Sequence, residues 1–313
     1  MTLTELRYVV AVARERHFGH AAQSCFVSQP TLSVAIKKLE EELGVMLFER
    51  GPGEVSVTPV GQRIVEQAQR VLEEASRIKD LALAGSDPLA GPLRLGAIYT
   101  IGPYVLPKLI PLLRRRAPAM QLLIQENFTH KLAEALKQGD VDVILIALPF
   151  DEPGIATQAV YDEPFLVAVP QGHAWEKKKQ ISTEELTKES LLLLGEGHCF
   201  RDQVLEFCHS VSRSPNRSGL ARALEGGSLE TIRQMVASGV GITVLPSTSV
   251  TAGGIAADLI RIRPFARPVP ERRVALAWRR SFPRLEAVEA LRKAILECDL
   301  AQVTKLPSAR ASA

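Results

Sequence analysis

Apolar positions in the first 84 residues recur at helical spacing, with no long β-branched run, so this part of the chain reads as almost all helix. Leu32, Ile36, Leu39 and Leu43 form one stripe after a short Ala-rich helix over 19–25. Ser28 precedes the stripe as an N-cap, and Pro30 falls in the first turn, where its missing N–H does no harm. Val60, Ile64, Gln67-Ala68, Val71, Ala75, Ile78 and Ala82 then recur every three or four residues. That spacing predicts an amphipathic helix of about six turns with a narrow apolar seam. The punctuated stretch from Gly85 to Pro92 predicts a hinge. Beyond it the period changes. Short apolar runs at 93–98, 122–125, 141–148, 165–169, 241–245 and 274–278 alternate with helical patterns. Strands alternating with helices predict an α/β fold with mostly parallel sheets.

The pattern divides the chain further. Tyr161-Asp162-Glu163-Pro164 and the proline-rich 263–270 read as crossings between two lobes. Residues 93–162 with 268–300 then form lobe I, and 163–267 form lobe II. The helical part divides into a compact unit at 1–59 and the long helix at 60–84, with 85–92 as the hinge. Residues 301–313, rich in Pro, Ser and Ala, predict a disordered tail.

Composition narrows the function only a little. The net charge of +3 in 313 residues is too small to mark a polyanion binder by its sum, so the placement of charge decides. No run of about 18 apolar residues predicts a membrane span. The N-terminus has no charged region followed by a secretory apolar stretch, so the chain is expected to stay in the cytoplasm. Thiols are kept reduced there, and any disulfide would be transient. No cofactor or metal is expected.

The stripe at 32–43 carries a DNA-binding signal. At about 100° per residue, Gln29, Ser33 and Lys37 fall on a polar arc beside it, near the helix N-terminus. A helix-turn-helix presents its recognition helix to the major groove in this way. Gln pairs with adenine, and Lys reaches guanine or phosphate. An ordinary helical hairpin remains open as the alternative. The first 60 residues carry six Lys/Arg against seven Asp/Glu, so binding would rest on local placement and helix N-terminal dipoles. The seam of the long helix is to be buried against a second copy or against its own domain.

A denser pattern joins these features. Leu6, Ala11, Phe18, Ala21-Ala22, Ser28-Gln29-Pro30-Thr31-Leu32-Ser33, Ile36, Leu39-Glu40, Leu43-Gly44, Leu47-Phe48-Glu49-Arg50, Thr58-Pro59 and Gly61 together resemble the winged helix-turn-helix of the LysR-type transcriptional regulators. The resemblance implies that Gln29, Pro30, Thr31, Ser33 and Lys37 face DNA, with Arg50 and Thr58 flanking the wing. It implies a linker helix that pairs two DNA-binding heads on promoter DNA, with RNA polymerase as a further partner. The wing tip Gly51-Pro52-Gly53-Glu54 departs from the pattern, because many members carry basic residues there. The helix-then-strand stretch from Ser228 to Pro246 is similar to the family's effector domain, a two-lobed α/β fold like that of periplasmic binding proteins.

The candidate chemistry lies in Gly195-Glu196-Gly197-His198-Cys199-Phe200-Arg201-Asp202. The chain has four cysteines, and two of them, Cys199 and Cys208, each stand beside a histidine. Cys199 falls near a predicted helix start, with His198 and Arg201 adjacent. Helix N-termini and nearby cations favour a reactive thiolate, which peroxide oxidises to a sulfenic acid. If 199–208 is one helix, the nine residues separate the thiols by ~13.5 Å along the axis and place them on opposite faces. A disulfide needs Cα atoms roughly 4.4–6.8 Å apart, so joining them requires local remodelling. A zinc site from His198, Cys199, Cys208 and His209, a Cys199–His198 hydrolytic pair, and inert core thiols are the other readings; Cys25 and Cys298 read as inert. Thr100 and Thr129, at the ends of two predicted strands, cap the following helices or offer hydroxyls to a ligand.

This segment, with Tyr99-Thr100-Ile101-Gly102-Pro103-Tyr104 and Glu126-Asn127-Phe128-Thr129-His130, resembles the peroxide-sensing members of the LysR family. The resemblance implies Cys199 as the peroxidatic thiol and Cys208 as the resolving one. It places Thr100, Thr129 and His198 around hydrogen peroxide, with Arg201 and Asp202 in support. It further implies a dimer of dimers, reset by a glutathione- or thioredoxin-linked reductant, acting as a sensor rather than an enzyme. A family regulator that takes a small organic ligand in the interlobe cleft, and a thiol peroxidase, stand as the alternatives.

Overall fold

The structure, a computed structural model, describes residues 1–50, 55–84, 87–211, 225–250 and 257–306. These divide into two compact units near residue 85. In the first unit, α1 (Leu3–Glu15) opens with a capping box. The Thr2 hydroxyl accepts the Glu5 N–H, and the Glu5 carboxylate accepts the Thr2 N–H at 2.7 Å. Next come α2 (Phe18–Ser24) and α3 (Gln29–Leu43). Ser28 caps α3 by accepting the Thr31 N–H, and Gly44 ends it in a left-handed turn at φ 69°.

Glu40 of α3 is buried, yet it is paired. Its Oε1 accepts the N–H groups of Leu47 and Phe48 at 2.7 and 3.2 Å, which ties α3 to the start of β1 (Phe48–Arg50). β1 pairs antiparallel with β2 (Val55–Val57); the wing tip at 51–54 lies outside the described residues. α4 (Pro59–Ala84) follows. A Cβ at Gly61 would lie 2.2 Å from the Leu47 carbonyl oxygen, so only glycine lets α4 start this close to the wing. Val9, Val12, Phe18, Leu32, Ile36, Leu39 and Phe48 make the core, with Val65 of α4 joining them.

The seam of α4 is covered by its own unit along part of its length. Ala68 is buried with Leu6 and Val10 of α1, and Val71 and Leu72 pack beside them. This stretch is therefore covered by its own unit. Ile78, one to two turns further on, is 69% exposed and remains available to another surface.

The second unit contains β3 (Gly91–Ile98), α5 (Gly102–Arg116), β4 (Met120–Asn127), α6 (Thr129–Gln138), β5 (Val143–Ala147), β6 (Ile155–Pro170), β7 (Leu191–Leu194), α7 (Cys199–Val211), β8 (Glu225–Gly226), α8 (Leu229–Ala237), β9 (Ile242–Pro246), α9 (Ser247–Val250), β10 (Ile260–Pro264), β11 (Glu271–Arg279), α10 (Leu285–Glu297) and β12 (Thr304–Lys305). Its sheet runs β4-β3-β5-β11-β6-β9-β7-β8. β3 pairs in parallel with β4 and β5 at one end, and β7 with β8 and β9 at the other. Between these arms, β5–β11, β11–β6 and β6–β9 are all antiparallel. The expectation of mostly parallel sheets is corrected accordingly. β6 and β11 carry the chain between the arms in opposite directions, so their pairing must be antiparallel.

Two apolar cores result. One gathers β3, β5, α5 and α10; the other gathers Phe165–Val169, β7, α7, α8 and β9. Glu163 and Pro164 lie inside the single strand β6, between its two core-facing stretches. Gly91 and Pro92, expected in the hinge, already pair with Met120 and Gln121 as part of β3. The expected disordered tail is also corrected in its first residues. Thr304 and Lys305 pair with Asp162 and Tyr161 on β6, and the Leu306 N–H reaches the Val160 carbonyl at 2.9 Å. The exposed backbone of β6 supplies those partners; 307–313 lies outside the described residues.

Candidate functional site

α7 begins where β7 ends. Gly197 turns the chain with φ 91°, a conformation that suits glycine, and Cys199 is the first helical residue. Phe200, Val204 and Cys208 recur every four residues, so they share one face. All three are buried in the lobe II core. Cys199 lies off that stripe. It is half-buried and packs against the lobe I core instead. Gln203, one turn on from Cys199, also reaches lobe I: its Nε2 donates to the Leu148 carbonyl at 3.2 Å. One continuous helix therefore holds its two thiols in different cores. Both are free.

The surroundings of the two thiols differ. Burial pushes the Cys208 thiol up to about 11. Near Cys199, the rings of Phe128 and Tyr99 meet His198 edge-on at 4.8 and 6.0 Å. Burial lowers the His198 pKa, opposed by a hydrogen bond to the Gly227 backbone. Of the two roles its place beside Cys199 allowed, hydrogen bonding or positive charge, burial favours the neutral, hydrogen-bonding ring. Arg201 is committed elsewhere: its Nη1 donates to the Leu194 carbonyl at 2.8 Å and to Glu225 at 2.5 Å. Asp202 faces solvent in the first turn of α7.

The two threonines take different roles. Thr100 does not cap α5, whose N-cap is Ile101 without a side-chain bond. Its buried hydroxyl accepts from Arg272 Nη1 at 2.8 Å and its carbonyl from Nη2 at 2.9 Å. Thr129 opens α6, and its hydroxyl is buried with no hydrogen-bond partner among the described residues; Gln203 Oε1 is in the same condition. These are two acceptor-capable oxygens on elements next to His198 and Cys199.

Sequence reasoning missed Arg272, Glu163 and Gln203. Arg272 and Glu163 are fully buried and joined at 2.7 Å. The second Glu163 oxygen accepts both the backbone N–H and the hydroxyl of Thr248. The Arg272 guanidinium lies 5.4 Å from the Phe200 ring. This pair spans β6 and β11 at the lobe junction and fixes Thr100 through its backbone and side chain. A signal was present: Glu163 and Arg272 are charges next to apolar runs that read as strands, where a buried charge needs a partner.

On the first unit, Gln29, Pro30, Thr31 and Lys37 are exposed on α3, whereas Ser33 is half-buried. Thr58 is committed elsewhere. Its hydroxyl donates to the Met46 carbonyl at 2.7 Å and accepts the Gly61 N–H at 2.9 Å, closing the turn into α4. Arg50 ends β1, and its side chain lies outside the described residues.

A winged helix-turn-helix joined by a long helix to a two-lobed α/β unit defines a class of one-component transcriptional regulators. Residues 3–62 match the bacterial regulatory helix-turn-helix protein, lysR family, and residues 86–298 match the LysR substrate binding domain. The chain belongs to the LysR family; it is a DNA-binding regulator of transcription, not an enzyme. Within the family it is 39% identical, over 94% of its length and 95% of the relative's, to the DNA-binding transcriptional dual regulator OxyR of Escherichia coli. It is 54% identical to a full-length OxyR structure carrying C199D from Pseudomonas aeruginosa, covering 98% of this chain and 99% of that one, with a TM-score of 0.74. An OxyR cysteine mutant of Corynebacterium glutamicum with H2O2 bound is 32% identical, covering 94% and 91%, with a TM-score of 0.64.

Proposed function

We propose that this regulator senses hydrogen peroxide through Cys199 and signals through a disulfide with Cys208. The Cys199 thiolate attacks one peroxide oxygen. The O–O bond breaks, a sulfenic acid forms, and the departing hydroxide takes a proton as water. Once α7 remodels, the Cys208 thiolate attacks the sulfenic sulfur, closing the disulfide and releasing a second water. Peroxide is reduced by two electrons and the two thiols supply them. A glutathione- or thioredoxin-linked dithiol reverses the step.

The observation that carries this reading is the division of the thiols between two cores on one helix. Joining them withdraws α7 from at least one core, so oxidation becomes a change of shape. Thr100, Thr129, His198 and Gln203 would surround the peroxide, with Arg272 holding Thr100. Arg201 and Asp202 would act at a distance, Arg201 by anchoring the start of α7 to β7. Gln29, Pro30, Thr31, Ser33 and Lys37 would face promoter DNA, with Arg50 and Thr58 at the wing, in a cytoplasmic dimer of dimers that engages RNA polymerase.

Thiol labelling before and after one equivalent of peroxide tests the reading. Cys199 and Cys208 should lose their label together, and Cys208→Ser should leave a trappable sulfenic acid on Cys199. If both thiols stay free while Cys25 or Cys298 oxidises, peroxide sensing here is wrong.

A further inference from the structure

At about 100° per residue, Leu32, Ile36 and Leu39 occupy one side of α3, and Val34 falls roughly opposite them. It is 68% exposed and lies outside the core of its unit. Pro30 and Lys37 are exposed beside it at i−4 and i+3, with Lys38 at i+4. The outward pole of the recognition helix is therefore a branched hydrocarbon, while Ser33, expected on the reading arc, is half-buried. Local folding does not ask for this residue, since an exposed β-branched side chain is a poorer helix former than alanine. DNA offers it a partner. On a base edge in the major groove, the apolar group is the C5-methyl of thymine.

We propose that Val34 is a base-reading residue that packs on a thymine methyl group and sets a preference for thymine in each half-site. The assignment rests on α3 entering the major groove. Lys37 and Lys38 flank Val34 and suit phosphates, which position a protein without reading sequence. Val34 carries no charge, so it adds specificity but nothing to the salt-dependent attraction.

The test uses the full chain and Val34→Ala, with a duplex selected by the wild type from a randomised library. Each thymine is replaced in turn by deoxyuridine, which lacks only the methyl group. At one thymine per half-site, the change should weaken wild-type binding about fourfold, equivalent to ~0.8 kcal/mol for one buried carbon. At that position it should leave V34A unaffected. The salt slope should be the same for both proteins, and V34A should melt no lower than the wild type, because the site is exposed and alanine is the better helix former. The proposal is overturned if no thymine is sensitive, or if V34A keeps the wild-type sensitivity. Failure to bind any duplex would bring down the groove-binding role of α3, and this assignment with it, and is distinguishable from both.

Discussion

Glycine in place of alanine at position 206 will make the Cys199–Cys208 disulfide more stable. Glu206 faces solvent in the middle of α7, between the two thiols. The nine helical steps from Cys199 to Cys208 hold them ~13.5 Å apart along the axis. Closure to the roughly 4.4–6.8 Å that a disulfide allows therefore unwinds the segment containing residue 206. E206G and E206A remove the same charge, so their difference isolates the helix. Glycine disfavours the helical, reduced state by about 1 kcal/mol relative to alanine. That favours the disulfide about fivefold and moves its potential ~20 mV more negative. Equilibration of both variants in graded glutathione buffers, read by the ratio of free to bridged thiols, measures the shift. Equal potentials, or a shift of opposite sign, would mean that the bridge forms without unwinding α7.

The buried ion pair predicts a stability pattern. Arg272→Met should cost about 3–5 kcal/mol by leaving the Glu163 carboxylate buried and unpaired, and E163Q/R272M should recover most of it, as read from urea unfolding. His198 predicts a pH dependence. Its folded pKa lies below the ordinary 6.5, so the unfolded chain binds this proton first as pH falls. The stability tied to this ring is complete above 6.5 and is lost below it, until the pH passes the folded value. His198→Asn should flatten the fall in melting temperature between pH 7.5 and pH 5.5, and an unchanged slope would show that the ring is not buried as a neutral group.

Legibility in the sequence followed the range of the interactions. Ser28 and Pro30 act within a few residues of themselves, so the start of α3 could be read from the chain alone. The alternating runs gave the positions of β3, β4 and β9 for the same reason. What periodicity does not carry is pairing direction: β6 and β11 look like any other apolar runs, and only the route of the chain between arms makes them antiparallel. The redox segment was legible as a spacing of Cys199 and Cys208. Its charges were not. His198 and Arg201 adjoin Cys199 in sequence, but tertiary packing neutralises one against Phe128 and Tyr99 and commits the other to Leu194 and Glu225. Arg272 stands 73 residues from Cys199 along the chain, and it arrives at Phe200 only because β11 crosses the lobe junction.

The same packing sets how readily the proposed switch can be reversed. Withdrawing Phe200 and Val204 from the lobe II core costs about 2 kcal/mol for each side chain, and exposing Cys208 adds about 1 kcal/mol. A total of about 5 kcal/mol raises the potential of the bridge by ~110 mV, to about −190 mV from an unstrained bridge at the upper end of the structural range, about −300 mV. The bridge is then less negative than a cytosolic glutathione poise of about −220 to −260 mV, so ordinary cellular thiols reduce it and the bridge needs an oxidant to appear. If Cys208 faced Cys199 on the surface of α7, that cost would vanish and glutathione would no longer clear the disulfide. The burial of Cys208, which makes it a poor nucleophile in place, is also what makes the oxidised state temporary.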